Sequence, residues 1–291
     1  APEDLNIVKN APAFRRRFLN TLISKVSPSY FNLLSDLSKL MNRKNLYLRT
    51  ARNGVKSGEI SQYDIDASLD YWDFSIADLS AGIIIMRDRF SKLLSESASK
   101  HHSNISGGRE KLSIDYDTIS GCSVPSDAFE TDNRQHDAYL RKGLSGSDYT
   151  RIKGILSEKI LSKLRSVRSY DVEKGISSVG VNKDDLDIKL DGLQMRSYSS
   201  QGQQRSASLA LKLAELDIIR MFTSSTPILL LDDVFSELDA DRRASLLSVM
   251  KDAQIFITCT DRDMATRDLE PMKAAGSARY YHVADGTVTV E

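Results

Sequence analysis

Nine apolar residues, Ile65, Leu69, Trp72, Ile76, Leu79, Ile83, Met86, Phe90 and Leu93, recur at alternating intervals of four and three. That period keeps one stripe of an α-helix turned toward a neighbouring helix, and it is incompatible with a strand, whose side chains alternate with a period of two. The spacing predicts a long helix lying alongside a partner. Tyr30, Leu33, Leu37, Leu40 and Tyr47 share one stripe of the preceding segment, so the partner is expected there, joined by a short loop as an antiparallel hairpin. Residues 13–50 read as helical and are divided by Pro28, because proline is accepted in a first helical turn but not in a helix interior. Residues 51–63, polar and containing Gly54 and Gly58, read as the loop. Residues 12–100 are therefore expected to form a helical arm. Ordinary packing in a compact bundle is the competing reading.

The chain after the arm is less uniform. Residues 101–109 contain Gly107-Gly108 and read as a break, with His101 and His102 in a solvated loop. Residues 111–119 alternate as a strand does, and 129–142 and 147–168 read as two further helices. After residue 175 short apolar strands alternate with helices: strand 186–190, helix 203–222, strand 227–232, helix 240–250 and strand 254–258. That rhythm predicts an α/β domain with largely parallel strands. Segments 280–283 and 287–290 flank Asp285-Gly286, a turn-forming pair, and predict a hairpin. The domain division expected is 1–11 for the end of an N-terminal lobe, 12–170 for the mainly helical arm domain and 171–291 for a C-terminal lobe.

Charge narrows the functions available. Forty Lys and Arg balance forty Asp and Glu, which excludes a protein that coats nucleic acid by bulk charge. Residues 1–60 carry 11 cations against 4 acids, so a basic N-terminal region is available to phosphates. The two cysteines, Cys122 and Cys259, are too few for a disulfide framework, and the four histidines are scattered without metal-ligand spacing. No apolar run is long enough for a membrane helix and no signal-peptide pattern opens the chain; a cytoplasmic location without membrane contact is expected. The chain lacks an initiator Met, so its start is expected to be processed or artificial.

The chemistry concentrates in two stretches. Pro227-Ile228-Leu229-Leu230-Leu231 is an aliphatic run that reads as a strand buried on both faces, followed at its C-terminal end by Asp232 and Asp233. Ligands of open α/β sheets bind at that end. In a nucleotide hydrolase the first acid, Asp232, would hold Mg²⁺, and the second, Asp233, would orient or deprotonate the attacking water. Ser236-Glu237-Leu238-Asp239 follows directly. Upstream, Ser199-Ser200-Gln201-Gly202-Gln203-Gln204-Arg205 opens a helix that buries Leu209, Leu213, Leu216 and Ile219. A serine and a glycine at a helix N-terminus form an anion site from free backbone N–H groups and the helix dipole.

This ordered set resembles the head of an ABC-type ATPase. Ser200-Gln201-Gly202-Gln203 is similar to the signature motif, Asp232 and Asp233 to the Walker B pair, and Ser236–Asp239 to the D-loop. Within that superfamily, Ala1-Pro2-Glu3-Asp4-Leu5, Arg15-Arg16-Arg17-Phe18-Leu19, the Ser200–Arg205 stretch and Leu230–Asp239 resemble the RecF family. The resemblance implies an incomplete α/β ATPase head, its C-terminal lobe, carrying an inserted helical, coiled-coil-like arm. It implies ATP and Mg²⁺ as cofactors, an ATP-dependent homodimer, and DNA binding at gaps or single/double-strand junctions. It further implies loading of the RecA recombinase with RecO and RecR partners. On this reading Ser200, Gly202 and Gln203 meet the γ-phosphate of a partner's ATP. Asp232 holds the metal, Asp233 positions water, and Ser236 and Asp239 couple the two sites. Arg15, Arg16 and Arg17 either contact DNA phosphates or pin the arm to the head.

The sequence departs from the family in three places. No Gly-x-x-x-x-Gly-Lys-Ser/Thr phosphate loop is present, so this chain alone is expected to be inactive as the weak ATPase that the resemblance implies, and to start after that segment. Gly180-Val181-Asn182-Lys183-Asp184-Asp185-Leu186 stands where the family tends to carry His and Arg. Phe256–Asp261 lacks the histidine of many ABC heads, and Thr260 or Asp261 is left to stand in for it. Two other classes remain: a non-catalytic DNA- or protein-binding helical module, and an SMC-like ABC head, against which the short arm argues.

Overall fold

The computed structural model describes residues 4–58, 60–118, 121–125, 133–223, 225, 227–232, 243, 254–260 and 276–290. A short α1 (Leu5–Lys9) leads to α2 (Pro12–Val26) and α3 (Pro28–Ser57), both of which begin with a proline in the first turn, where its missing N–H is not needed. Helix α3 does not stop where its sequence turns polar, which corrects the loop expected over 51–63. It runs on to Ser57 and ends at Gly58, whose φ of 74° is the left-handed conformation that caps helices. Gly54 lies inside the helix, and its missing side chain leaves room for Ile60.

Helix α4 (Gln62–Ser106) is 45 residues long. Ser61 caps it by accepting from the Asp64 N–H at 3.2 Å, and Gly107 ends it at φ 65°. Of the heptad residues, Ile65, Leu69, Ile76, Ile83, Phe90 and Leu93 are buried, and Trp72, Leu79 and Met86 are partly so. The N-terminal part of α4 pairs with α3 as the hairpin predicted. There Leu48, Ala51, Ile65, Leu69 and Val172 form their own cluster, and the Tyr47 and Trp72 rings meet edge to face at 4.8 Å. The rest of α4 runs through the main core, so the compact reading also holds in part.

Next come β1 (Leu112–Asp117), α5 (Asn133–Lys142), α6 (Gly146–Ser166) and α7 (Arg168–Lys174). Helix α6 buries Ile152, Leu156, Ile160 and Leu164 against α4. Arg168 of α7 and the fully buried Lys44 of α3 share the buried carboxylate of Asp73, with Lys44 Nζ 2.7 Å and Arg168 Nη2 2.9 Å from its oxygens. This ties three helices together at the arm.

The remaining elements are β2 (Asp185–Leu190), β3 (Leu193–Gln194), α8 (Met195–Tyr198), α9 (Gln201–Thr223), β4 (Leu229–Asp232), β5 (Ile255–Thr258), β6 (Tyr281–Ala284) and β7 (Thr287–Val290). Helix α4 packs most extensively against α9, then against α6, β1 and α3. Two expectations need correction. Among the described strands only β4 and β5 pair in parallel; β1–β2–β3 is antiparallel, because β2 pairs with β1 rather than with β4. Strand β4 is also buried on one face only. Leu229 and Leu231 point into the core, while the register sets Leu230 beside Phe256 on the other face, where they are 69% and 51% exposed. The β6–β7 hairpin forms as expected, with Asp285 and Gly286 both at positive φ, as a two-residue turn of this kind requires. The predicted helix 240–250 lies outside the described residues apart from Arg243.

Candidate functional site

Helix α9 begins with a reciprocal cap. Ser200 Oγ accepts from the Gln203 N–H at 3.2 Å, and Gln203 Oε1 accepts from the Ser200 N–H at 2.8 Å. Two helix-start donors are thereby satisfied by each other's residues. Ser200 is exposed and Gly202 partly so, which turns the positive end of the helix dipole toward solvent. Behind this start the helix is anchored: Ala207, Leu209, Ala210, Leu211, Leu213, Ala214, Leu216 and Ile218 are buried, and Ile219 is partly so. The predicted anion site therefore sits on a helix that is rigidly seated and open at one end.

The start of α9 also reaches another part of the chain. Gln203 Nε2 donates to Glu110 Oε1 at 3.0 Å, and Glu110 Oε2 lies 3.0 Å from His102 Nε2. His102 is fully buried in the last turns of α4, and His101 beside it is 8% exposed and 2.7 Å from Asp217 Oδ2. The solvated loop expected for these histidines is thus corrected. Each is buried because a carboxylate from elsewhere in the chain meets it, which offsets the cost of taking a polar ring out of water. Burial pushes the Asp217 carboxyl up, but hydrogen bonds from His101 and Ser97 outweigh it and the pKa is lowered. Glu110 and His102 were missed in the sequence. Gly107, a helix-stop residue, was the available signal that α4 runs past the histidines.

Asp232 ends β4 with its side chain exposed, accepting from Thr258 Oγ1 of β5 at 2.5 Å. Its carboxylate stands at the C-terminal end of a parallel pair, the end from which such sheets present ligand groups. Asp233, Ser236, Asp239 and Asp261 lie outside the described residues. No group of three or more His, Cys, Asp or Glu that could hold a metal occurs among the described residues. Of the two acids expected to hold a metal and position water, only Asp232 is among the described residues. Neither cysteine is in a disulfide; Cys122 is buried and Cys259 exposed.

The three arginines of α2 separate. Arg15 is buried and forks onto Asp185, with Nε and Nη2 at 2.8 and 2.7 Å from the two oxygens, while Nη1 donates to the Asn10 carbonyl at 2.8 Å. Arg16 Nη1 donates to the Asp184 carbonyl at 2.7 Å, and Arg17 is exposed. The 180–186 segment has a structural task as well. The Asp184 carboxylate accepts from Tyr116 and from Arg87, and Arg87 also donates to the Val181 carbonyl and to Tyr30. Burial works against the Arg87 charge, yet Tyr30, Tyr116 and Asp184 more than offset it and its pKa is raised. Burial pushes the Tyr30 and Tyr116 phenols up.

The largely helical body with small sheets forms a RecF-type head-like fold, present in part. The chain covers all of its length on solved structures of the recombination mediator protein RecF of the RecFOR pathway. It matches the RecF-ATP form with a TM-score of 0.74 at 28% identity over 67% of that chain, and the RecF-ATPrS form with 0.73 at 28% over 66%. The DNA replication and repair protein RecF of Ruminiclostridium cellulolyticum is 35% identical over 90% of this chain and 62% of its own length. The RecF proteins of Lysinibacillus sphaericus and Lactobacillus acidophilus are each 33% identical, over 99% and 100% of this chain, with 68% of their own lengths matched. No protein-family model matches. The chain belongs to the RecF family of DNA replication and repair proteins, and it spans 62% of the first of these relatives. Among the described residues no helix is long and apolar enough to cross a membrane.

Proposed function

We propose that this chain carries the signature and Walker B portion of an ATP-controlled DNA-binding protein that acts in recombinational gap repair. The observation that carries the reading is the start of α9: an exposed serine that caps a helix N-terminus, with a partly exposed glycine two residues on. A group of this kind recognises an anion presented by another surface, as the γ-phosphate of ATP held by a second subunit would be. In the dimer Ser200, Gly202 and Gln203 contact that phosphate, and Asp232 holds Mg²⁺ on the nucleotide of its own subunit. Asp233 positions water, and Ser236 and Asp239 link the two sites. Mg²⁺, when bound there, would supply charge neutralisation to the phosphates.

Of the three arginines on α2, Arg15 and Arg16 hold the helix to the segment around Asp184 and Asp185, which leaves Arg17 to meet DNA phosphates. RecO and RecR are the proposed partners at single/double-strand junctions and gaps, with loading of RecA as the outcome. The family membership supports these assignments. The experiment is an equilibrium titration of Mg·ATP against this chain, alone and joined to the phosphate-loop segment of its relatives. Binding that requires the added segment is the expected result. Tight binding by this chain alone would overturn the divided-site assignment.

A further inference from the structure

The amide of Gln203 is held at both ends. Its oxygen caps the Ser200 N–H and its nitrogen donates to Glu110, a residue 93 positions away. Capping alone would leave the side chain free to exchange rotamers, whereas a carboxylate acceptor fixes it through a charge-assisted bond. Glu110 is in turn fixed by His102, which is fully buried in the last turns of α4. A carboxylate only accepts, so the His102 tautomer that satisfies it carries its hydrogen on Nε2. We propose that Glu110 and His102 are positioning residues that set the geometry of the signature start and couple it to α4, and through α4 to the arm.

This inference rests on the reading that Ser200 meets a nucleotide held by a second subunit. Three links lie between a single 45-residue helix and the exposed serine: His102 to Glu110, Glu110 to Gln203, and Gln203 to Ser200. Helix α4 also packs along α9 more extensively than along any other element, so a displacement of α4 is passed to the seat of α9. A ligand that shifts α4 at the arm therefore alters the orientation of Ser200. Linkage requires the converse: nucleotide engagement at Ser200 biases the position of α4. Neither residue touches the nucleotide in this arrangement.

The test uses the full-length protein, with ATP binding to the monomer and ATP-driven dimerisation measured separately. Because the signature acts on the partner's nucleotide, Glu110→Ala is expected to raise the ATP concentration for half-maximal dimerisation roughly tenfold, the size of a lost charge-assisted hydrogen bond. Monomer affinity for ATP should stay unchanged. Glu110→Gln keeps an acceptor for Gln203 and should recover much of the loss, and it is the variant to read if Glu110→Ala fails to fold. Dimerisation of Glu110→Ala at the wild-type ATP concentration would overturn the inference while leaving the functional reading intact. A parallel fall in monomer affinity would reduce Glu110 to a general structural role and overturn it too. A wild-type protein that never dimerises with ATP would sink the functional reading and, with it, this role for Glu110.

Discussion

Arg15 and Arg17 lie two positions apart on α2, which turns them about 200° from each other around the helix. One faces inward and forms a two-pronged pair with Asp185; the other faces solvent and makes no ion pair among the described residues. The same residue type therefore serves two ends, and the substitutions should separate them. Arg15→Ala strands Asp185 at the edge of the core and should cost about 3 kcal/mol of stability, as removal of one partner of a buried pair does. Urea denaturation measures it, and a loss too small to detect would mean water replaces the guanidinium. Arg17→Ala should leave the urea midpoint in place. It should weaken DNA binding equally on all sequences and lower the slope of log affinity against log salt by about one. An unchanged slope in a DNA titration would remove Arg17 from the interface.

At the scale of elements, the α3–α4 hairpin depends on a close approach that only glycine permits. A Cβ on Gly54 would stand 2.4 Å from Ile60 Cδ1 and 3.2 Å from its Cβ. Alanine at a helix interior position normally gains up to about 1 kcal/mol over glycine, whereas overpacking costs about 1–3 kcal/mol. Gly54→Ala should therefore lose about 1 kcal/mol net, and Ile60→Ala in the same background should restore the helix advantage. A stabilising single substitution would show that Ile60 moves aside freely. The hairpin was legible in the sequence because a heptad period is local information repeated many times. Its ends were not. Gly54 in a polar stretch reads as a loop, and the residue that stops α3 is the later Gly58, distinguished by its left-handed conformation. The reciprocal cap of α9 was within reach, since Ser200 and Gln203 are three residues apart. Glu110 was not, since nothing near residue 110 refers to residue 203. The same holds for His101, which looks solvated until Asp217 arrives from α9, whereas His102 meets Glu110 just past the end of its own helix. It holds again for β2, whose alternation announces a strand but not an antiparallel partner.

At the scale of the whole molecule, acids and bases cancel at neutral pH, yet they are used unequally. Carboxylates are the hinges of the packing: Asp73 between α3, α4 and α7, Asp184 and Asp185 between α2, α4 and β1, Asp217 between α4 and α9, and Asp70 between α4 and the arginines at 165 and 168. Hydrogen bonds from Arg168 and Arg165 lower the pKa of Asp70, and the His101 and Ser97 bonds leave that of Asp217 lowered as well. A group with a lowered folded pKa contributes stability that is present above its unfolded value, near about 4, and is lost as pH falls through the folded value. The chain should therefore lose stability below about pH 4, as these carboxylates take up protons in the unfolded state first. Loss of negative charge also leaves the cations of the first 60 residues to repel one another. Urea denaturation across the acid range distinguishes the two causes. Asp217→Asn removes one linked proton, so its stability curve should be shallower than wild type below about pH 4 and should converge on it at the most acid pH. Added salt should soften the repulsive part in both proteins alike. If the Asn variant ran parallel to wild type throughout the acid limb, the α4–α9 contact at Asp217 would not be where the molecule registers acid.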